Sequence, residues 1–281
     1  MWNIGLSWIP QGALEGLSFD IDYYDYDYKD LISREGHQAL IDADNLSRCP
    51  NGTNDDPAAG PLCGTSDQNG DGVDEVYSIG PGIPDKVIRR DDGGLLRTQA
   101  EYFNAPSLKT TGIDFNLAYQ FDTGIGSWRL GVLGSHTLKY DIIDDQGNEI
   151  DGVGSRNAGN SIGRPLPPWK VNGTINWFLN RHSALATIRY IDSYDDDVPQ
   201  SALRGAFGFE NETIESWTSL DLQYNFQIGS WGGAVQDSVI TLGLKNATNE
   251  EPPIVNVDGG YDYFTHDPRG RIIYGRFRVT L

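Results

Sequence analysis

VITLGLKNATNEEPP (residues 239–253) and HDPRGRIIYGRFRVTL (residues 266–281) flank a segment rich in Gly, Asp and Tyr. Both read as strands. Ile240, Leu242 and Leu244 alternate with Thr241, Gly243 and Lys245, while Ile273, Phe277, Val279 and Leu281 alternate with Tyr274, Arg276, Arg278 and Thr280. A period of two puts apolar residues on one face and polar residues on the other. In a soluble sandwich the apolar face meets a second sheet. Here the last strand runs to residue 281 with no helix or second layer to cover it. A face covered by lipid is the transmembrane β-barrel solution, because a closed sheet satisfies its backbone without water.

The rest of the chain repeats this pattern. Strands are expected at 2–9, 16–28, about 97–122, 128–140, 169–179, 183–193, 216–226, 239–245 and 271–281. The run GIDFNLAYQFD is the cleanest: Ile113, Phe115, Leu117, Tyr119 and Phe121 oppose Asp114, Asn116, Gln120 and Asp122. In GLSFDIDYYDYDY the phase reverses after Tyr24. Either a bulge near Tyr23–Tyr24 restores the faces, or the strand has left the membrane by then. Connections alternate short (10–15, 123–127, 180–182, 227–236) and long (31–95, 141–168, 194–215, 248–268). A sandwich has no reason to keep its long loops at one end; a membrane barrel does. The odd-numbered apolar residues 17–23, 113–121 and 273–281 should share the convex face. Asp20, Asp22, Asp114 and Asp221 should share the polar face with Arg276 and Arg278 and pair with them locally. The aromatics Trp2, Trp8, Trp128, Trp169, Trp177 and Phe226 sit near strand ends, as an interfacial belt requires.

Composition agrees. Forty acidic residues against 21 basic give a net charge of -19, which excludes a nucleic-acid partner, whose phosphates need a basic footprint. Gly (34) and Tyr (14) are abundant, which favours strands over helices. No run of about 18 apolar residues is present, so no transmembrane helix is expected, and barrel strands need only about ten alternating residues each.

Three segments resemble a known family, the TonB-dependent outer-membrane receptors. They are NAPSLKTTGIDFNLAYQF (104–121), PLPPWKVNGTINW (165–177) and the closing stretch, through Lys245, Asn246, Glu251, Pro252, Pro253, Tyr261, Asp262, Asp267, Pro268, Arg269, Gly270 and Arg271. One departure is the last residue, Leu281, where the family usually ends on an aromatic. The resemblance implies the bacterial outer membrane, with lipid as one partner. It implies a barrel of about 22 strands filled by an N-terminal plug that contacts the inner-membrane energy-coupling protein TonB. It also implies uptake of a scarce solute such as a siderophore, cobalamin or oligosaccharide. The fold expected for residues 1–281 is therefore all-β: the C-terminal partial barrel of about nine strands, antiparallel and up-and-down, with a long extracellular loop at 31–95. Neither plug nor coupling box is recognisable, and Met1 leads straight into the strand-like WNIGLSWIP. The chain is thus expected to be the C-terminal portion of a longer receptor. Alternatives are an extracellular calcium-stabilised β-sheet binding module and a small porin-like barrel that closes on itself.

Candidate chemistry concentrates in the loops. Asp67, Asn69 and Asp71 in DQNGDG alternate oxygen donors before Gly72, with the Val73 carbonyl and Glu75 next in order. This matches the start of a calcium loop, although Ser78 stands where a bidentate Glu belongs and no flanking helices are expected. A structural calcium clip and a solvated acidic turn both fit; no cofactor is required. Cys49 and Cys63, close together in one polar loop, are expected to form a disulfide, closing a loop of about 15 residues for roughly 3 kcal/mol. Asp258, Tyr261, Tyr263 and Phe264 combine aromatic faces with a carboxylate near the extracellular mouth, a set able to stack on and hydrogen-bond a polar small molecule or oligosaccharide. The four histidines (37, 136, 182 and 266) sit in separate elements without metal spacing, and no nucleophile motif is present. An enzyme is not expected.

Overall fold

The computed structural model describes residues 1–48, 64–66, 75–77, 80–90, 94–143, 149–157, 164–196, 213–230, 233, 235–255, 257 and 259–281. Two compact units are present. One comprises residues 1–29, 107–157 and 164–281, the other residues 30–106 and 158–163.

The first unit is built on nine strands: β1 (Trp2–Trp8), β2 (Leu17–Arg34), β3 (Tyr102–Thr123), β4 (Gly126–Ile143), β5 (Trp169–Leu179), β6 (His182–Ile191), β7 (Trp217–Gln227), β8 (Asp237–Lys245) and β9 (Ile272–Thr280). They lie side by side in sequence order, and the short segment Glu149–Asp151 adds to β4. Among the described residues every strand pairing with a defined register in this sheet is antiparallel. β1 and β9 are the two ends of the order. Among the described residues the sheet is not closed, which speaks against the self-contained porin-like barrel and agrees with the partial barrel.

The registers carry the alternation across strands. Tyr119 faces Leu130, Leu130 faces Ile175 and Ile175 faces Ala186; Leu222 faces Leu244, and Leu244 faces Ile273. This apolar face is exposed: Leu6 is 61%, Leu242 58% and Ile273 77% accessible. Exposed apolar residues in continuous rows across a sheet mark a surface that water does not cover. Phe115 lies on this face, edge-on to Trp169, which stacks on His136 with ring centroids 3.9 Å apart. Asp114 pairs with Ser135 on the other face. Turn chemistry fixes the register. β5 and β6 pair directly from Leu179↔His182, with Asn180 in the left-handed region that Asn tolerates. In the β3–β4 turn, Thr123 Oγ1 accepts from Trp128 Nε1 and donates to the Gly126 carbonyl.

Of the two explanations for the phase reversal after Tyr24, the bulge needs correction. No bulge breaks β2 opposite β1: the pairing runs without a shift from Trp8↔Phe19 to Trp2↔Asp25. The strand instead continues to Arg34, with Tyr24, Tyr26 and Tyr28 stacked in series at centroid distances of 5.3 and 6.0 Å. The irregularity lies between Thr111 and Gly112 of β3. A Cβ at Gly112 would collide with the Tyr24 ring, so glycine there makes room for it.

The second unit contains the connection read as the long loop 31–95, and that connection is partly regular. It holds helix α1 (His37–Arg48) and two short antiparallel ladders, Gly64–Ser66 with Glu75–Tyr77 and Val87–Arg89 with Leu95–Thr98. Asp44 of α1 is fully buried, yet it accepts from Arg48 Nε, from Arg89 Nε at 2.8 Å and from the Ile83 amide at 2.7 Å. These partners hold its carboxyl below the usual range against the opposing effect of burial. Lys86 bridges Glu35 and Glu101 nearby.

Candidate ligand site at the long-loop end

The sheet itself carries little buried apolar core. The buried hydrophobic cluster of the first unit is Tyr194, Ile214 and Val255, with Val257 packed against it; Tyr194 and Ile214 pair in a short antiparallel ladder, Tyr194–Asp195 with Thr213–Ile214, outside the nine strands. The loops beyond the strands are shaped by short polar side chains. Asn246, buried and with positive φ, donates to the Glu250 carbonyl and accepts from the Glu250 amide, both at 2.8 Å. Its own amide donates to Asp221 Oδ1, whose second oxygen accepts from Arg189 Nη1 at 2.7 Å. Asn249 Oδ1 caps the Arg271 amide, and Asp267 Oδ1 caps that of Arg269. The Asn and Asp residues of the closing stretch are therefore turn builders.

Residues 262–266 form the centre of the site. Asp262 Oδ1 accepts from the Phe264 amide, and its carbonyl accepts from the amides of Thr265 and His266. This tight turn buries the side chains at its two ends and leaves the two consecutive aromatics between them outside. Asp262 and His266 are buried, 3% and 5% exposed, while Tyr263 and Phe264 are 63% and 60% exposed. Below, Tyr194 donates its hydroxyl to Asp262 Oδ2 at 2.6 Å and lies 3.2 Å from His266 Nε2. Trp217 meets the His266 ring edge-on at 5.9 Å. Burial, then the Asp262 contact, push the Tyr194 hydroxyl far up, so it stays neutral. Above, the Tyr263 and Phe264 rings lie 4.4 Å apart, and the Arg164 guanidinium sits 5.3 Å over the Phe264 ring. The result is an exposed aromatic shelf with a cation, standing on a buried polar anchor.

Of the residues singled out from sequence, Tyr263 and Phe264 come together on this shelf and Tyr261 is half-buried beside it in the chain. Asp258, Cys49, Cys63, Asp67, Asn69, Asp71 and Val73 lie outside the described residues. Glu75 begins a short strand and pairs with Ser66, so the acidic run lies between two paired strands in the sequence. Sequence reading missed Tyr194, Arg164 and the anchoring role of His266.

The polar face carries charges of both signs. Asp221 is paired with Arg189, but among the described residues no ion pair joins Arg276 or Arg278 to Asp20, Asp22 or Asp114. The expected local pairing is corrected: Asp22 and Asp114 belong to β2 and β3, whereas both arginines belong to β9 at the far end of the strand order. Arg276 and Arg278 line a cavity of about 460 Å³ with Arg181, Asn225, Gln227 and Asp237.

Comparison with known proteins accords with this architecture. No curated protein sequence matches the chain. Solved structures share its fold at low identity: the siderophore receptor PirA from Acinetobacter baumannii (14% identity, TM-score 0.50, covering 98% of this chain and 31% of that one). A ferric enterobactin receptor mutant from Pseudomonas aeruginosa in complex with enterobactin matches at 11% identity and TM-score 0.52, covering 98% of this chain and 30% of that one. The outer-membrane transporter YddB from Escherichia coli matches at 10% identity and TM-score 0.53, covering 98% and 31%. The chain thus spans about a third of the length of these structures. The family model for "TonB dependent receptor-like, beta-barrel" matches residues 2–249, and with nearly the whole chain covered, the protein belongs to the TonB-dependent receptors of the outer membrane, within their β-barrel.

Proposed function

We propose that the chain contributes barrel strands and extracellular loops to a receptor that takes up a scarce solute under energy supplied through TonB. The solute is a small molecule of the siderophore class, with cobalamin and oligosaccharide as the other candidates, and it first docks on the Tyr263–Phe264 shelf. The observation that carries this is the pairing of two exposed aromatic rings with the Arg164 cation at the long-loop end of the sheet. Exposed aromatics held rigidly by a buried anchor offer stacking area at little entropic cost. The likeness in fold to the siderophore receptor PirA and to the receptor in complex with enterobactin lends support. Catalysis has no part in the reading, and the calcium-bound soluble module loses its ground once the apolar face is read as lipid-facing. A structural calcium at 67–75 and the Cys49–Cys63 disulfide remain part of the proposal as devices that order the long loop.

The test is uptake by cells expressing the full-length receptor of radiolabelled ferric enterobactin, ferrichrome, cyanocobalamin and maltodextrin. We expect one of these to enter in a TonB-dependent way. Replacing Tyr263 and Phe264 together by Ala should weaken its binding about tenfold or more, the equivalent of about 1.4 kcal/mol. Uptake that persists without TonB, or binding unchanged in the double variant, would overturn the reading.

A further inference from the structure

The anchor beneath the shelf has a consequence for pH. Tyr194 spends its only proton on Asp262 Oδ2, so at 3.2 Å its oxygen can only accept from His266 Nε2. That fixes the neutral tautomer with the proton on Nε2. The other nitrogen, Nδ1, is buried and has no hydrogen-bond partner. A bare lone pair there is tolerated. Protonation would create a buried N–H⁺ with no acceptor, the costlier state by far. The charged groups around the ring do not rescue it: burial, the largest effect, lowers the His266 pKa, Asp262 only partly offsets it, and the Lys170 ammonium adds to the lowering. Arg156, near Tyr194, is engaged by Asp196 at 2.7 Å. Trp217, which packs edge-on against the ring, carries no titratable group.

We infer that His266, with Tyr194 and Asp262, is a pH-sensitive anchor that holds the Tyr263–Phe264 turn in place when neutral and releases it when protonated. Its effect on solute capture rests on the reading of the shelf given above; the anchoring does not. The sign follows from linkage. A histidine whose folded pKa is depressed binds more protons in the opened state, so the anchor is intact above the free-histidine value of about 6.5 and weakens as pH falls below it. Within that window the opening equilibrium rises up to about tenfold per pH unit, until the folded pKa is passed.

Hydrogen exchange read by mass spectrometry on the full-length receptor tests this without any solute. The amides of Phe264, Thr265 and His266 report directly, because all three donate to Asp262. After correction for intrinsic exchange, their protection in the wild type should fall severalfold or more between pH 7.5 and 5. His266→Gln should remove the pH dependence, and Tyr194→Phe should give low protection at both pH values. Protection that is flat with pH in the wild type, or that falls equally in His266→Gln, would overturn the anchor. Should exchange behave as expected while Tyr263→Ala/Phe264→Ala leaves ferric-siderophore uptake unchanged, the anchor stands and the shelf's role in capture fails.

Discussion

Leu117→Arg should cripple assembly of the barrel, whereas Asn116→Arg, one residue away, should not. The apolar residues of β3 run from Ile113 to Phe121 on one face, and Leu117 is their midpoint. It lies closest to the centre of a hydrocarbon band about 25 Å tall, where an Arg on the lipid face costs about 2–4 kcal/mol. Phe115 is two residues nearer the long loops, about 7 Å along the strand. It stands in an aromatic group with Trp169 and His136. Phe115→Arg should therefore combine a smaller charge penalty, about 1–2 kcal/mol, with loss of an aromatic contact worth about 0.5–1.5 kcal/mol. Asn116 faces the other way, lining a cavity of about 440 Å³ with Gln120, Arg129, Asn172 and Asn176. An added Arg there stays hydrated, and its repulsion with Arg129 costs under about 1 kcal/mol. The assay is guanidinium unfolding of the full-length receptor refolded into lipid vesicles, with heat-modifiable gel mobility as a second readout. Equal destabilisation by Leu117→Arg and Asn116→Arg would refute the division into lipid and lumen faces. So would a Leu117→Arg variant within about 0.5 kcal/mol of wild type, since the penalty comes directly from depth on the lipid face.

The sheet was legible because its two solvents differ. Ile113 to Phe121 alternate without error since every second residue meets lipid, and the same constraint fixes Ile240–Leu244 against Ile273–Phe277. Where that constraint lapses, reading by period failed. Beyond Tyr23 the alternation of β2 no longer reports a face, and the Tyr24–Tyr26–Tyr28 stack took its place. Helix α1 went unseen because HQALIDADNLSR has two Asp and an Asn, poor helix formers. Its Asp44 is stabilised by Arg89, 45 residues on. The shelf was half legible: Tyr263 and Phe264 attract notice by composition. The anchor was not, because Tyr194 reaches Asp262 across 68 residues and the buried state of His266 exists only once the loops pack. The family-like residues Asn246 and Asp267 were recognisable as wording before their role was: each accepts a backbone amide of its own turn.

Mass spectrometry of unreduced peptides from the full-length receptor should show Cys49 linked to Cys63; two free thiols would remove that brace. Calcium should slow proteolysis within residues 67–75 and EDTA should restore it; identical cleavage rates would remove the clip. Asp267, held near a pKa of about 2 chiefly by its hydrogen bond with Arg269, should contribute stability that is present above pH ~4 and lost as pH falls through ~2. Because that pair is exposed, Asp267→Asn should cost under about 1 kcal/mol in guanidinium unfolding at pH 7, and less in high salt. Asp221 separates two effects that look alike in the structure. One oxygen takes the Asn246 amide at 2.9 Å, and the other takes Arg189 at 2.7 Å. The Arg189 side chain is 45% exposed, so its ion pair is worth at most about 1 kcal/mol. Asn246 is buried, and leaving its N–H without an acceptor costs about 1–3 kcal/mol. Asp221→Asn keeps an acceptor for that amide and loses only the charge, so it should retain most of the stability, whereas Asp221→Ala should lose about 2 kcal/mol. If the Asn variant unfolds as early as the Ala variant, the ion pair rather than the amide cap holds β7 to the turn after β8.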